Sequence, residues 1–179
     1  MGSIGNIADV SRIFVNTNMA AAAGAFVAML ATQLAYGKVD LTMVLNGALA
    51  GLVSITAEPL TPTMGWTCFI GGVGGVIVVY GVPLLDKFKI DDVVGAIPVH
   101  LFAGIWGTLA VVLTNPEAAL GTQIYGIVVV GVFTFVISSA AWIILNAVLG
   151  IRVSEEDEIT GLDAAELGME AYPEFSRQG

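Results

Sequence analysis

The sequence is short of charge, of basic residues, of histidine and of cysteine, and each shortage removes a class of protein. Only 12% of the 179 residues are charged, against 56% hydrophobic, and the mean hydropathy is +0.88. A soluble domain carries about 25% charged residues. This chain lacks the charge to cover a water-facing surface, so most of it must face lipid. The single cysteine, Cys68, allows no internal disulfide and no cysteine metal cluster. Six lysines and arginines stand against fifteen acids, for a net charge of −9, which argues against nucleic acid as a partner because phosphates need Lys and Arg. The acids are unevenly spread, with eight after Gly150 in a polar tail. One histidine, His100, has no second imidazole or suitable thiol for a haem or zinc site. No nucleophile sits beside a base, no metal-ligand spacing is present, and no dinucleotide fingerprint appears. The expectation is a protein that is not an enzyme and needs no cofactor.

What is present is apolar length. Five runs stand out, at Phe14–Tyr36, Thr42–Thr56, Gly65–Leu85, Val93–Leu113 and Ile124–Leu149. A bilayer core about 30 Å thick needs a helix of about 20 residues. Four runs meet that length, and the second is short unless it extends through Asp40 and Pro59. Each should be helical, because lipid offers no partner for a free backbone N–H or C=O. The sequence thus reads as an all-α, polytopic membrane protein, with a transmembrane part over residues 1–150 and an acidic tail over 151–179.

Lys38, Lys87, Lys89 and Arg152 fall on one side if all five runs cross, and Arg12 falls on the other. The excess of basic residues in cytoplasmic loops then puts the amino terminus outside and the tail in the cytoplasm. The opening "MGSIGNIADVSR" lacks the basic start and apolar core of a signal peptide and reads as an extracytoplasmic loop, a hint that sequence is missing upstream.

Glycine numbers 22, and much of it lies within the runs. Gly47 with Gly51 and Gly71 with Gly75 have the spacing that brings helix backbones close in lipid. A phosphate-cradling loop is the rival reading, but no strand precedes these glycines. Asp91 and Asp92 come just before the fourth run. Asp92 reads as a helix cap, a carboxylate taking N–H bonds at the positive end of the helix dipole. Attraction of a cation is the weaker alternative. His100 follows eight residues later, roughly 12 Å along a helix and too deep for the interface. An ionisable side chain at that depth costs a few kcal/mol and marks a functional site by default. Burial in an apolar lining should keep its imidazole neutral, with one donor and one acceptor for a small polar molecule or a proton. Asn16, Thr17, Asn18, Asn46 and Ser54 read as interface or helix–helix hydrogen bonds, with Asn46 and Ser54 also candidates for pore lining. Trp66 suits an interfacial belt, whereas Trp106 and Trp142 should pack, and Ser138 and Ser139 should satisfy nearby backbone.

"DDVVGAIPVH" followed by "AGIWG" resembles the Asp-Asp-to-His segment of ammonium transporters, the Amt/Mep/Rh family. "FVNTNMAAAAGA", "GALAGLVSIT" and "GIRVSEEDEITGLDAAELGMEAYPEF" are similar to further segments of that family and occur in the expected order. The resemblance implies the last five helices of an eleven-helix fold, built as a trimer with a pore through each subunit. It makes His100 the second of two pore histidines, Asp92 the capping aspartate, and Met1 an internal methionine of a truncated or split chain. Ammonium would be recruited outside and deprotonated, and ammonia would cross an apolar bore along hydrogen-bonded imidazoles. The upstream half would hold the outer recruiting residues and the first pore histidine. The sequence departs from the family pattern at Leu101, where glycine is frequent, at Gly95, where an acid is common, and at Asn46, where serine is frequent.

The tail has its own pattern. Ser154 followed by Glu155, Glu156 and Asp157 is an N-cap with acids in the first turn. Asp163 and Glu166 have the spacing of a second capping box, opening a helix that Pro173 would end. By charge alone the tail is a solvated acidic segment. The resemblance implies instead a cytoplasmic regulatory latch, with Arg152, Ser154, Glu155, Glu156, Gly161, Leu162 and Asp163 in it and a PII-type signal protein as partner. Four readings follow for a chain in a plasma membrane: half of an ammonium pore, an ammonium sensor of the same fold, an intramembrane enzyme that lacks a partner for His100, and a non-conducting fragment.

Overall fold

A computed structural model describes residues 7–169, and the regular structure among them is all helical, with no strand. They divide into two compact units at Val129 and Val130, inside the last long helix.

The first unit holds four apolar helices. α1 (Ile7–Tyr36) begins seven residues before the apolar run read from sequence, so residues 7–12 are helix and not loop. Asp9 in the first turn favours this extension, since a carboxylate suits the positive helix end. α2 (Leu41–Ile55) starts at Asp40, whose carboxylate accepts the Met43 N–H at 3.1 Å, and it stops short of Pro59. α3 is Met64–Lys87. The fourth helix, α4, spans Ile97–Leu113 and has three parts: π-helical Ile97–Phe102, α-helical Ala103–Ala110 and a closing 3-10 turn at Val111–Leu113.

Three of the described helices are long and apolar enough to cross a membrane, Ile7–Tyr36, Met64–Lys87 and Leu120–Leu149. α2 and α4 are apolar but shorter than 18 residues. The fourth run therefore does not give a full-length helix. Its first residues form the capped loop ahead of Ile97.

Small residues set the packing. The buried positions of α1 are Asn16, Ala20, Gly24, Ala28 and Thr32, one every fourth residue. That row is a ridge inclined to the helix axis, and it lies against both α2 and α3. A Cβ on Gly51 of α2, or on Gly71 of α3, would fall onto the Ala20 carbonyl oxygen. A Cβ on Gly75 would fall onto the Gly24 carbonyl. The glycine pairs are thus helix contacts, and the backbones of three helices meet where they sit. Two small clusters complete the core, Ala20, Ile55, Ile70 and Ala110 beside Trp106, and Ala50, Val78, Val99 and Ala103 beside Met43, Val53 and Val82.

Prolines in these helices leave carbonyls that need donors. Pro83 lies inside α3 and has no N–H for the Val79 carbonyl four residues earlier. The Tyr36 hydroxyl of α1 donates to that oxygen at 3.4 Å. The turn between α2 and α3 is held by Asn16, whose Nδ2 donates to the Pro59 and Pro62 carbonyls at 2.8 and 3.1 Å.

The second unit begins within α5 (Leu120–Leu149), a helix of 30 residues with none buried. It is apolar on every side, the mark of a helix that meets lipid or another apolar surface all round. Trp142 is exposed on it, so the packing expected of this ring is not made by the described chain. Ser138 donates to the Thr134 carbonyl at 2.6 Å, a local backbone contact. α6 (Glu155–Thr160) and α7 (Leu162–Leu167) follow.

Candidate functional site

His100 sits in the π-helical turn at the start of α4, and the turn's geometry follows from its neighbours. Pro98 occupies the first turn, where a missing N–H is tolerated. Ahead of it Asp92 closes the helix end, its Oδ1 accepting the Ala96 N–H and its Oδ2 the Ile97 N–H, both at 2.8 Å. Gly95 is left-handed at φ 76° and supplies the turn into the helix. At the other end the Ala103 N–H bonds to the Pro98 carbonyl, five residues back. The wider π pitch is frequent at functional sites.

One side of this turn is packed and the other is open. Pro98, Val99 and Ala103 are buried, whereas His100 and Leu101 are exposed. The burial expected for the imidazole is therefore not provided by this chain. α2 and α3 cover the opposite face of α4, and His100 stands on an uncovered apolar wall. Trp106 anchors the same helix two turns on. Its indole N–H donates to the Ile70 carbonyl at 3.0 Å, and its ring meets Phe69 edge-on at 6.1 Å. Phe69 in turn meets Trp66 at 5.7 Å, and Trp66 is 41% exposed.

Asn46 of α2 reaches the loop before His100, its Nδ2 donating to the Val94 carbonyl at 3.0 Å. Sequence reasoning ranked Asn46 as glue or lining and did not find this bond. Ser54 is buried with its hydroxyl unpartnered among the described residues, and a Cβ on Gly74 would fall onto that oxygen. Ser54 shares a surface dent with Glu58, Gly107 and Thr114, and the dent has no room for a water molecule.

The tail residues lie in the second unit. Ser154 accepts the Asp157 N–H at 3.1 Å and donates its hydroxyl to Asp157 Oδ2 at 2.7 Å. Glu155 and Glu156 are exposed in the first turn of α6. Arg152 pairs with Glu158 at 2.7 Å on an exposed surface. Gly161 is positive in φ at 98° and precedes α7. Asp163 is the second residue of that helix and not its cap, which corrects the capping-box reading, and Leu162 is its first. α7 ends at Gly168 in the left-handed region. Pro173, expected to end this helix, lies outside the described residues. Among those residues no group of three or more His, Cys, Asp or Glu is placed to hold a metal ion.

These features define a class: a polytopic helical membrane protein with small-residue packing and a single imidazole on an open apolar wall. The profile of the Ammonium Transporter Family matches residues 1–172, and the chain belongs to that family. Ammonium transporter Amt2 of Archaeoglobus fulgidus is 44% identical over 93% of this chain, and the chain spans 40% of that relative. The ammonium transporter of Bacillus subtilis is 34% identical, with 89% of this chain and 43% of the relative covered. Among solved structures, a sensor Amt protein superposes with a TM-score of 0.83 at 29% identity, over 90% of this chain and 43% of its own. Mep2 of Candida albicans gives 0.73 at 26% identity, over 82% and 37%. The chain thus spans well under half the length of these relatives.

Proposed function

We propose that this chain forms one wall of an ammonium-conducting pore, with His100 as the polar group on that wall. The observation that carries the reading is the exposed imidazole on a helix whose other face is packed. The names of the relatives, ammonium transporters from archaea and bacteria, support it. The rest of the fold, beyond the share spanned here, would supply the facing wall and a second imidazole.

The physical sense of such a pore is selection by loss of charge. A hydrated potassium or sodium ion entering an apolar bore must shed water with nothing to replace it, at a cost of several kcal/mol or more. Ammonium has another route, since it can leave its proton behind and cross as neutral ammonia. Ammonia still needs hydrogen-bonding partners in the bore, and an imidazole offers one donor and one acceptor. Asp92 serves this arrangement from a distance by closing the helix end that carries His100.

On this reading the amino-terminal side faces outward, the tail over 151–179 faces the cytoplasm beneath a plasma membrane, and the complete protein is a homotrimer. The exposed acids Glu155 and Glu156 and the Arg152–Glu158 pair form a charged surface suited to a PII-type signal protein. The protein acts as a conduit and not as an enzyme. A receptor role on the same fold has one specific support, the similarity to a structure named as a sensor.

The test is His100→Ala in the protein that contains this chain and the rest of its pore. Ammonium current should fall at least about tenfold, the rate equivalent of losing one hydrogen-bonding partner worth about 1.4 kcal/mol. Detergent-solubilised trimer should be unchanged. Normal current with normal ammonium-over-potassium selectivity would overturn the pore role. Ammonium binding without any current in the native protein would favour the sensor.

A further inference from the structure

We infer that Gly81 of α3 is a positioning residue for His100, and that its missing side chain sets how far the imidazole projects from the wall. The consequence for transport rests on the pore reading; the geometry does not.

Pro98 and Phe102 flank His100 in its turn, two residues before it and two after. Both lie against Gly81. A Cβ there would come 3.0 Å from Pro98 Cβ, 3.3 Å from Pro98 Cγ and 3.3 Å from Phe102 Cδ2. Residues four apart in a helix stand one above the other, so the residue midway between them points to the far side. Pro98 and Phe102 thus make a two-point seat on α3, and His100 stands on the opposite face of the turn. The burial pattern agrees, with Pro98 buried, Phe102 half-buried and His100 exposed.

A methyl group on residue 81 would force a movement, because carbon atoms settle at about 3.5–4.0 Å. Phe102 can turn its ring aside. Pro98 cannot, since its side chain is closed onto its own backbone nitrogen, so its backbone must move. α3 is the less free partner. It is held against α1 where Gly71 and Gly75 meet the Ala20 and Gly24 carbonyls. On the far side of the turn His100 and Leu101 are exposed, so nothing among the described residues backs it there. The turn therefore yields away from α3 and carries His100 outward from the wall. On the pore reading that direction is into the bore. A side chain at residue 81 would narrow the conduit at the imidazole, which makes Gly81 a determinant of the width that a passing molecule meets.

The complete protein, reconstituted, tests this with ammonium and methylammonium, which differ by one methyl group. Gly81→Ala should shift the His100 imidazole nitrogen resonances. It should also lower the methylammonium-to-ammonium current ratio about fivefold, below the roughly tenfold that one methyl decides in a closed apolar pocket. Gly72→Ala is the control, because it adds the same methyl to the same helix but against Val27 of α1, and it should move neither readout. Unmoved resonances in Gly81→Ala, or equal shifts in Gly72→Ala, would overturn the positioning. Where Gly81→Ala fails to accumulate, Phe102→Ala decides. It takes material from the same seat, so the turn settles toward α3 and the ratio should rise. An unmoved or lowered ratio in that variant would overturn the inference. Shifted resonances in Gly81→Ala with an unmoved ratio would overturn the role in width, provided that His100→Ala lowers current. Normal current in His100→Ala would instead remove the pore role and leave the positioning intact.

Discussion

Asn16 shows how one polar side chain can organise a loop inside an apolar bundle. It is 4% exposed and stands at the head of the buried row on α1. Its amide takes two carbonyls, Pro59 and Pro62, in a stretch where prolines cannot donate and regular pairing is impossible. Asn16→Leu keeps the branching and heavy-atom count of the side chain and removes both donors. A buried carbonyl left without a partner costs about 1–3 kcal/mol, so the variant should lose about 2 kcal/mol. Unfolding of the detergent-solubilised protein by denaturant measures it directly. A variant as stable as the parent would mean that the turn between α2 and α3 is held by its own backbone. Asn18, two residues away, makes only a local bond to the Phe14 carbonyl at 2.8 Å, and Asn18→Leu is the natural control.

At the scale of elements, the end of α3 is closed by a motif usually built with glycine. Lys89 has φ 57°, the Ile90 N–H bonds to the Leu85 carbonyl at 3.0 Å, and the Lys89 N–H to Asp86 at 2.9 Å. A side chain in the left-handed region costs about 1 kcal/mol relative to glycine. Lys89→Gly should therefore raise stability by about 1 kcal/mol in the same denaturant assay, and a decrease would show that the lysine makes a compensating contact. Helix existence was legible because apolar length carries it, and all five apolar helices occur where the runs lie. Helix ends were less legible. The apolar run from Val93 hid the fact that Asp92 and Pro98 together delay the helix to Ile97. At α1 the reverse happened, since Ser11 and Arg12 read as loop although the helix already includes them. Of the site, His100 was conspicuous as the one imidazole in an apolar run. Its exposure was not legible, because burial depends on which face α2 and α3 cover. The Asn46 bond joins residues 48 apart in sequence, and no periodicity carries it.

At the scale of the bundle, the unusual feature is that a single ridge of α1 serves two helices at once. Lipid removes the hydrophobic drive between helices, so association depends on close packing and backbone approach. The Ala20 carbonyl is approached by Gly51 from α2 and by Gly71 from α3, so neither glycine can gain a methyl without moving α1 off the other helix. Gly72, the next residue on α3, is buried in the same interface but differs in what it faces. A Cβ there would meet the Val27 Cγ2 methyl at 3.1 Å and no backbone atom. A valine can yield by a few tenths of an ångström, whereas a carbonyl inside a helix cannot. Both substitutions change helix propensity equally, so their difference isolates the backbone clash. Gly71→Ala should cost about 2 kcal/mol more than Gly72→Ala, within the range of overpacked cores. Denaturant unfolding of the two variants reads that difference. Equal costs would mean that α1 is free to shift, and that the wall on which His100 stands is less rigid than the shared ridge implies.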